Sequence, residues 1–386
     1  MRYFLIAGEA SGDLHAAELI RALRMVDADA DIQFIGGDKM AEFAGCKPLI
    51  HYRDMAFMGF VEVVKHLPQI ARILKSAKRG IDNFTPDAVI LIDYPSFNMK
   101  IAEYAFKRKI PVYYYISPKV WAWKQWRVKG IRKYVRRLFS ILPFEREFFQ
   151  KHNYEISYVG NPSVEEITTK MAKISTREEF LNAYQLDAEL KVITLMPGSR
   201  RAEIANNLPE MLKSVAGFKD IQVAIAGAPA IEKGYYTEMI NSISGDKPTT
   251  TIVFDNGYEL LKYSVAALVT SGTATLETAI IGTPQVVCYR ANNSRLTYWF
   301  FEKVLSVRFI SLPNLIVDRK IITELLLHNC NAERMKQELE PLINDTAERS
   351  DMLNGYAQMR DILGDSNCSE MTANEIYKDL ELIKNE

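Results

Sequence analysis

The sequence predicts an α/β protein built from two doubly wound, Rossmann-like domains, and three observations carry that reading. Short β-rich apolar runs alternate with helical patterns. The alternation pauses after Gly160-Asn161-Pro162 and restarts at Lys191, and small-residue turns stand just after several strands. The chain has 386 residues, enough for two domains of roughly 100–200 residues each.

In the first half the strand candidates are Arg2–Ala7, Ile32–Gly36, Pro48–Tyr52, Asp87–Asp93, Ile110–Ile116, Leu138–Leu142 and Ile156–Val159. After the first of them, Ala16, Leu19, Ile20, Leu23 and Val26 recur on one helical face, as a helix lying on a sheet requires. Strands at Lys191–Met196, Ile221–Ala226, Thr250–Phe254, Ala266–Thr270 and Gln285–Tyr289 form the second unit, and from about Arg319 the chain reads as helical to its end. The expected domains are 1–165, 166–348 and a C-terminal helical stretch, 349–386, that returns to the first domain by analogy with similar folds.

Lysine plus arginine and aspartate plus glutamate both number 48, so no overall field draws the molecule to a polyanion. The four cysteines show neither C-x-x-C spacing nor clustering with histidine, which leaves a disulfide framework or a zinc site without support and suits a reducing cytoplasm. No apolar run approaches the ~20 residues of a membrane-spanning helix, and Tyr3–Ala7 is too short for a secretory signal.

Ligands of open α/β sheets bind beyond the carboxyl ends of the strands, so the turns there carry the functional candidates. Ala7-Gly8-Glu9-Ala10-Ser11-Gly12-Asp13 follows the first strand. It lacks dinucleotide-binding spacing, and Ser11 or Asp13 would serve equally as a helix cap. Glu9, however, is a carboxylate that packing does not explain. Asp93-Tyr94-Pro95-Ser96-Phe97-Asn98 puts Asp93 where a general base would stand, against the alternative that Asp93 and Asn98 cap the next helix. In the second half, Pro197-Gly198-Ser199-Arg200 offers amides and a guanidinium fork to a diphosphate. Ser271-Gly272-Thr273 opens a helix on which Glu277, one turn later, is placed to accept from a ribose diol.

A basic segment runs from Ser117-Pro118-Lys119-Val120-Trp121-Ala122-Trp123 to Arg137, with no acid between Tyr104 and Phe144. Val128, Ile131, Val135 and Leu138 make an apolar stripe opposite Lys124, Lys129, Arg132, Lys133 and Arg136, which predicts a basic amphipathic helix. Phe57, Met58, Phe60 and Val61 precede another basic run, and the two together favour a membrane surface over nucleic acid. A merely solvated basic face is the plainer alternative. Asp27-Ala28-Asp29-Ala30-Asp31 matches the D-x-D metal pattern but lies away from the ligand end, and reads as a solvated turn. His15 reads as structural, and no metal site is expected.

Taken in order, A-G-E-A-S-G-D, D-Y-P-S-F-N, S-P-K-V-W-A-W, L-P-F-E, V-G-N-P, P-G-S-R-x-x-E, S-G-T-A-T-L-E and S-L-P-N-L resemble the lipid-A-disaccharide synthase family from residue 7 to about 317. That resemblance implies a GT-B fold, two Rossmann-like domains facing a cleft. It also implies a cytoplasmic, peripheral inner-membrane enzyme without cofactor, joining UDP-2,3-diacylglucosamine to 2,3-diacylglucosamine 1-phosphate (lipid X) with inversion.

UDP would then be held by Gly198, Ser199, Arg200, Ser271, Gly272, Thr273, Glu277 and Asn314. Ser11, Asp13, Asn98, Ser117, Trp121 and Trp123 would line the acceptor side, with Asp93 or Glu9 as base. Family members often carry D-x-P-D-F-N; here Ser96 replaces the second aspartate. Rival readings are a lipid-linked N-acetylglucosaminyltransferase, a UDP-sugar 2-epimerase, or a nonenzymatic nucleotide-sugar or anionic-lipid binding protein. Oligomeric state has no signature in the sequence.

Overall fold

The computed structural model describes residues 1–55, 67–123, 125–243, 248–290, 308–365 and 367–385. The chain divides into two compact units, Met1–Pro162 with Asp365–Glu386, and Ser163–Gly364.

The first unit holds a parallel six-stranded sheet of β1 (Arg2–Ala7), β2 (Asp31–Ile35), β3 (Ala88–Ile92), β4 (Val112–Tyr115), β5 (Arg137–Ser140) and β6 (Ser157–Tyr158), in the order β2-β1-β3-β4-β5-β6. Every residue of β3 (Ala-Val-Ile-Leu-Ile) is buried, as a central parallel strand covered on both faces requires. Tyr3, Leu5 and Ala7 of β1 pack on one side with the helix Ala10–Val26, while Phe4 and Ile6 pack on the other.

In the second unit β7 (Lys191–Met196), β8 (Ile221–Ala226), β9 (Thr250–Val253), β10 (Ala266–Thr270), β11 (Gln285–Tyr289) and β12 (Thr323–Leu326) are also all parallel, in the order β12-β11-β10-β7-β8-β9. The strand order reverses beside β1 and β3 in one unit and beside β7 and β10 in the other.

Several sequence expectations are corrected. Pro48–Tyr52 runs beside Phe34–Gly36 through Leu49 N–H to Phe34 O and Gly36 N–H to Ile50 O, but forms only the isolated Gly36–His51 bridge, not a strand. The stretch after Arg319 is interrupted by β12, which pairs in register with Val286–Tyr289. The basic segment is broken into helices Val120–Trp123 and Val128–Tyr134 with a 3-10 turn at Gln125–Arg127, then enters β5. Asp27 is not solvated: it is buried and accepts from the N-terminal ammonium at 2.7 Å and the Tyr3 hydroxyl at 3.0 Å.

The C-terminal helix Cys368–Asn385 packs on Ala10–Val26, contributing Cys368, Ala373, Ile376 and Leu380 to the first unit's core. Asp379, buried on that helix, accepts from Arg136 and from the Tyr113 hydroxyl at 2.6 Å and pairs with Arg137 at 3.2 Å. Arg136 is therefore engaged rather than free on an outer face. The two guanidiniums and the tyrosine hydroxyl hold the Asp379 carboxyl below the usual aspartate range despite its burial.

Replacing Asp379 with Ala strands the buried Tyr113 hydroxyl, and urea unfolding at pH 7 should show a loss of about 2 kcal/mol. Because the folded-state value is depressed, this contribution is present above the ordinary aspartate pKa and disappears as pH falls through the lower one.

Candidate active site

In the second unit the turns after β7 and β10 meet beside the point of strand-order reversal and line a cavity of about 810 Å³. Gly198, Ser199, Arg200, Ser271, Gly272, Thr273 and Glu277 all face it. Gly198 has φ +124°, and a Cβ there would strike Glu203 at 2.6 Å, so the backbone path requires glycine on both counts.

Glu203 ties this turn down by accepting from the Ser199 amide at 3.0 Å and the Arg200 guanidinium at 3.2 Å. The Ser199 amide is thus committed to Glu203, contrary to the expectation that it is offered to a ligand. Likewise the Ser271 amide donates to the Cys288 carbonyl. What remain directed at the cavity are the exposed Arg200 guanidinium and the opening of the helix Thr273–Ile281, where a helix's first amides lack carbonyl partners.

Asn207, buried on the helix Arg201–Val215, donates to Pro197 O at 3.2 Å and Thr270 Oγ1 at 3.1 Å, bolting the β7 and β10 turns together. Sequence reasoning missed it because an asparagine inside a helix carries no signal of a partner 63 residues away.

Glu277 sits half-buried in the cavity wall, and burial together with the Glu166 charge pushes its carboxyl up to about 7, against the pull of Lys170 and the Tyr258 hydroxyl. Tyr258 also reaches Glu166 at 3.4 Å, and Lys170 pairs with Glu166 at 2.7 Å. Lys170 and Tyr258 line the cavity, yet neither belongs to any motif. Asn314 does not line it. Its Oδ1 accepts from the Ile321 and Ile322 amides and its Nδ2 donates to Ile322 O and Glu324, which uses all of its hydrogen-bonding capacity in the fold.

In the first unit the turns after β1 and β3 come together. A Cβ at Gly8 would lie 2.3 Å from the Tyr94 ring, so the first motif needs its glycine to accept the second. Asp93 and Tyr94 both have positive φ, 43° and 48°, a costly conformation for side-chain-bearing residues. The Tyr114 hydroxyl and Asn98 Nδ2 both donate to the Asp93 carbonyl and hold it there. Asn98, fully buried, also donates to Ile92 O, so its Nδ2 shapes the turn.

Burial and the nearby Glu9 charge raise the Asp93 carboxyl above the usual aspartate value, while Lys119 lowers it. Glu9 and Ser11 are exposed at the start of the helix Ala10–Val26, and Ser96 is exposed beside Asp93. Asp13 is buried and accepts from the Gly37, Lys39 and Met40 amides, capping the helix Asp38–Ala44 from outside it; this contradicts an acceptor role.

Ser117 and Trp121 are buried. Arg132 and Lys133 are exposed. Phe57, Met58, Phe60, Val61 and the Trp123 side chain lie outside the described residues. Among the described residues no cluster of three or more His, Cys, Asp or Glu is placed to hold a metal ion.

The family model for lipid-A-disaccharide synthetase matches residues 3–375. The chain belongs to that family. It is 36% identical to the lipid-A-disaccharide synthase of Myxococcus xanthus, covering 98% of this chain and 97% of the relative. Identity is also 36% to that of Acidobacterium capsulatum, covering 92% and 90%. Family membership makes the chain a glycosyltransferase of lipid A disaccharide synthesis. In fold it resembles UDP-GlcNAc 2-epimerase from Neisseria meningitidis, with a TM-score of 0.67 and 14% identity over 98% of this chain and all of the other. The architecture is GT-B.

Glu166→Gln should bring the Glu277 midpoint from near pH 7 down toward the ordinary glutamate range, since it removes a like charge and frees the Lys170 ammonium. Carboxyl-carbon NMR of the full chain reads this, and an unmoved midpoint would remove Glu166 as the cause.

Proposed function

We propose that the chain condenses UDP-2,3-diacylglucosamine with 2,3-diacylglucosamine 1-phosphate, forming a β-1,6-linked tetraacyl disaccharide 1-phosphate and UDP with inversion at the anomeric carbon. The observation that carries the reading is the convergence of the β7 and β10 turns and Glu277 on one cavity, in a chain of this family. Arg200 and the first amides of the helix Thr273–Ile281 serve the departing diphosphate, where negative charge develops, and Glu277 takes the ribose.

The nucleophile is the acceptor 6-hydroxyl, and it must lose its proton as the new bond forms. Asp93 is our choice of base: its turn is held in a strained conformation by Tyr114 and Asn98, and its raised affinity for a proton makes it a stronger base than an ordinary aspartate. Glu9 acts beside it, raising that affinity further by its charge. Ser11, Ser117, Trp121 and Trp123 fall to the acceptor side.

A mass-resolved assay with both acylated substrates tests this. Asp93→Ala should cut turnover by roughly 10²–10⁴-fold while leaving UDP affinity unchanged. Glu9→Gln should move the acid limb of the pH–rate profile downward, because a base must be ionised and the limb follows Asp93. Full activity in both Asp93→Ala and Glu9→Ala would remove these residues from the chemistry.

Both substrates carry acyl chains, and each buried methylene is worth about 0.8 kcal/mol, so they remain in a bilayer and the enzyme must come to them. We assign Phe57, Met58, Phe60, Val61, Arg132 and Lys133 to that docking, on the cytoplasmic face of the inner membrane. Trp126, 70% exposed between the two short helices of the basic segment, suits the same surface. No described helix is long and apolar enough to cross a membrane. Phe57→Ser with Phe60→Ser should reduce co-sedimentation with anionic liposomes and leave UDP binding intact; unchanged sedimentation would exclude this surface.

A further inference from the structure

Of the buried acids that the mechanism leaves unused, Asp13, Asp27 and Asp379 are held by backbone amides, an ammonium or guanidiniums, and Glu145 is not. Glu145 opens the helix Glu145–Gln150 and is 1% exposed, in a chain where the neighbouring acid Glu147 on the same helix lies in solvent. Its Oε1 accepts from the Trp121 indole N–H at 3.0 Å, and the Trp121 ring stands edge-on to Phe144 at 4.9 Å between centroids. Ser117, buried at the other end of the same short segment, has its hydroxyl close to the carboxyl while donating to Pro118 O at 3.3 Å. Burial of a carboxyl this deep is rare unless the group is paired or neutral.

We propose that Glu145 is a positioning residue, holding Trp121 and Ser117, and through them the acceptor-side segment Ser117–Trp121, from beneath. This rests on the reading of that segment as acceptor-side.

The form in which Glu145 does this follows from its surroundings. Its nearest cationic influence is the Lys119 ammonium, which also acts on Asp93. No guanidinium bonds it, and its Oε2 makes no close hydrogen bond among the described residues. Arg146 and Glu147, on its own helix, are exposed. The Trp121 N–H, the Ser117 hydroxyl, the Leu142 backbone and Lys119 all favour the charged form, but burial outweighs them and pushes the carboxyl up to about 8.

At neutral pH Glu145 is therefore mostly a neutral acid, which an amide reproduces in shape and polarity. Above pH 8 it ionises, a buried charge that those donors compensate only in part appears under Trp121, and the segment loosens. Lys119 then has a new anion to pair with, which draws it away from Asp93.

The test reads Trp121 directly and then the reaction. In the full chain labelled at the indole nitrogen, the Trp121 Nε1–H resonance, assigned by its loss in Trp121→Phe, should titrate with a midpoint near pH 8 in the wild type and stay flat in Glu145→Gln. With both acylated substrates, acceptor KM should rise at least threefold between pH 7 and pH 9 in the wild type, but not in Glu145→Gln, which keeps kcat within about twofold at pH 7. Glu145→Ala and Trp121→Phe should raise acceptor KM at pH 7 with UDP affinity unchanged, and turnover recovered at saturating acceptor shows that the first unit of each still folds.

A wild-type indole resonance flat across pH 6–9, or Glu145→Gln as impaired in acceptor KM as Glu145→Ala, overturns the proposal. The resonance needs no turnover, so it still judges the Glu145–Trp121 link if the disaccharide product is never seen and the functional reading itself fails.

Discussion

In a parallel sheet every strand ends on the same edge, so the turns after β1 and β3, and those after β7 and β10, are forced together wherever the strand order reverses. This constraint brings residues about 85 apart in sequence within reach of one another in the first unit, and Gly198 and Ser271 to one cavity in the second. The rest of the site depends on it. Glycine at 8 lets the Tyr94 ring lie against the first turn, and Asn207 joins the two turns of the second unit.

The carboxylates fall into two kinds. Asp13 and Asp379 are buried but saturated, one by three backbone amides and the other by guanidiniums and a phenol, and their work is to hold helices. Glu145 is buried and Asp93 and Glu277 are half-buried without such saturation, and each is pushed toward its protonated form by the loss of water. A desolvated acid with raised proton affinity is suited to move a proton, sense a ligand or act as a neutral donor, and a saturated one is not.

Local patterns made most of the strands legible, because central parallel strands such as Ala88–Ile92 are continuous apolar runs bounded by turn residues. β12 escaped because Thr-Glu-Leu-Leu has the local preference of a helix, and only its pairing with β11 makes it a strand. Pro48–Tyr52 has the composition of an edge strand but bonds too briefly to its neighbour. In the site, glycines and charged residues just after strands stood out. Asn207, Glu166, Lys170 and Tyr258 did not, since their meaning comes from partners far along the chain. Conversely Asn314 and Asp13 sit in motifs yet spend their polar atoms on partners within the fold, a distinction that only coordinates reveal.

The central claim, that the second unit's reversal point is the nucleotide seat, is tested most directly by a crystal structure of the full chain with UDP. The diphosphate is expected within hydrogen-bond distance of Arg200 and the first amides of the helix Thr273–Ile281, with a ribose hydroxyl on the Glu277 carboxylate. UDP bound away from those turns, or lying in their cavity with the ribose turned from Glu277 and the diphosphate facing bulk solvent, would contradict the account.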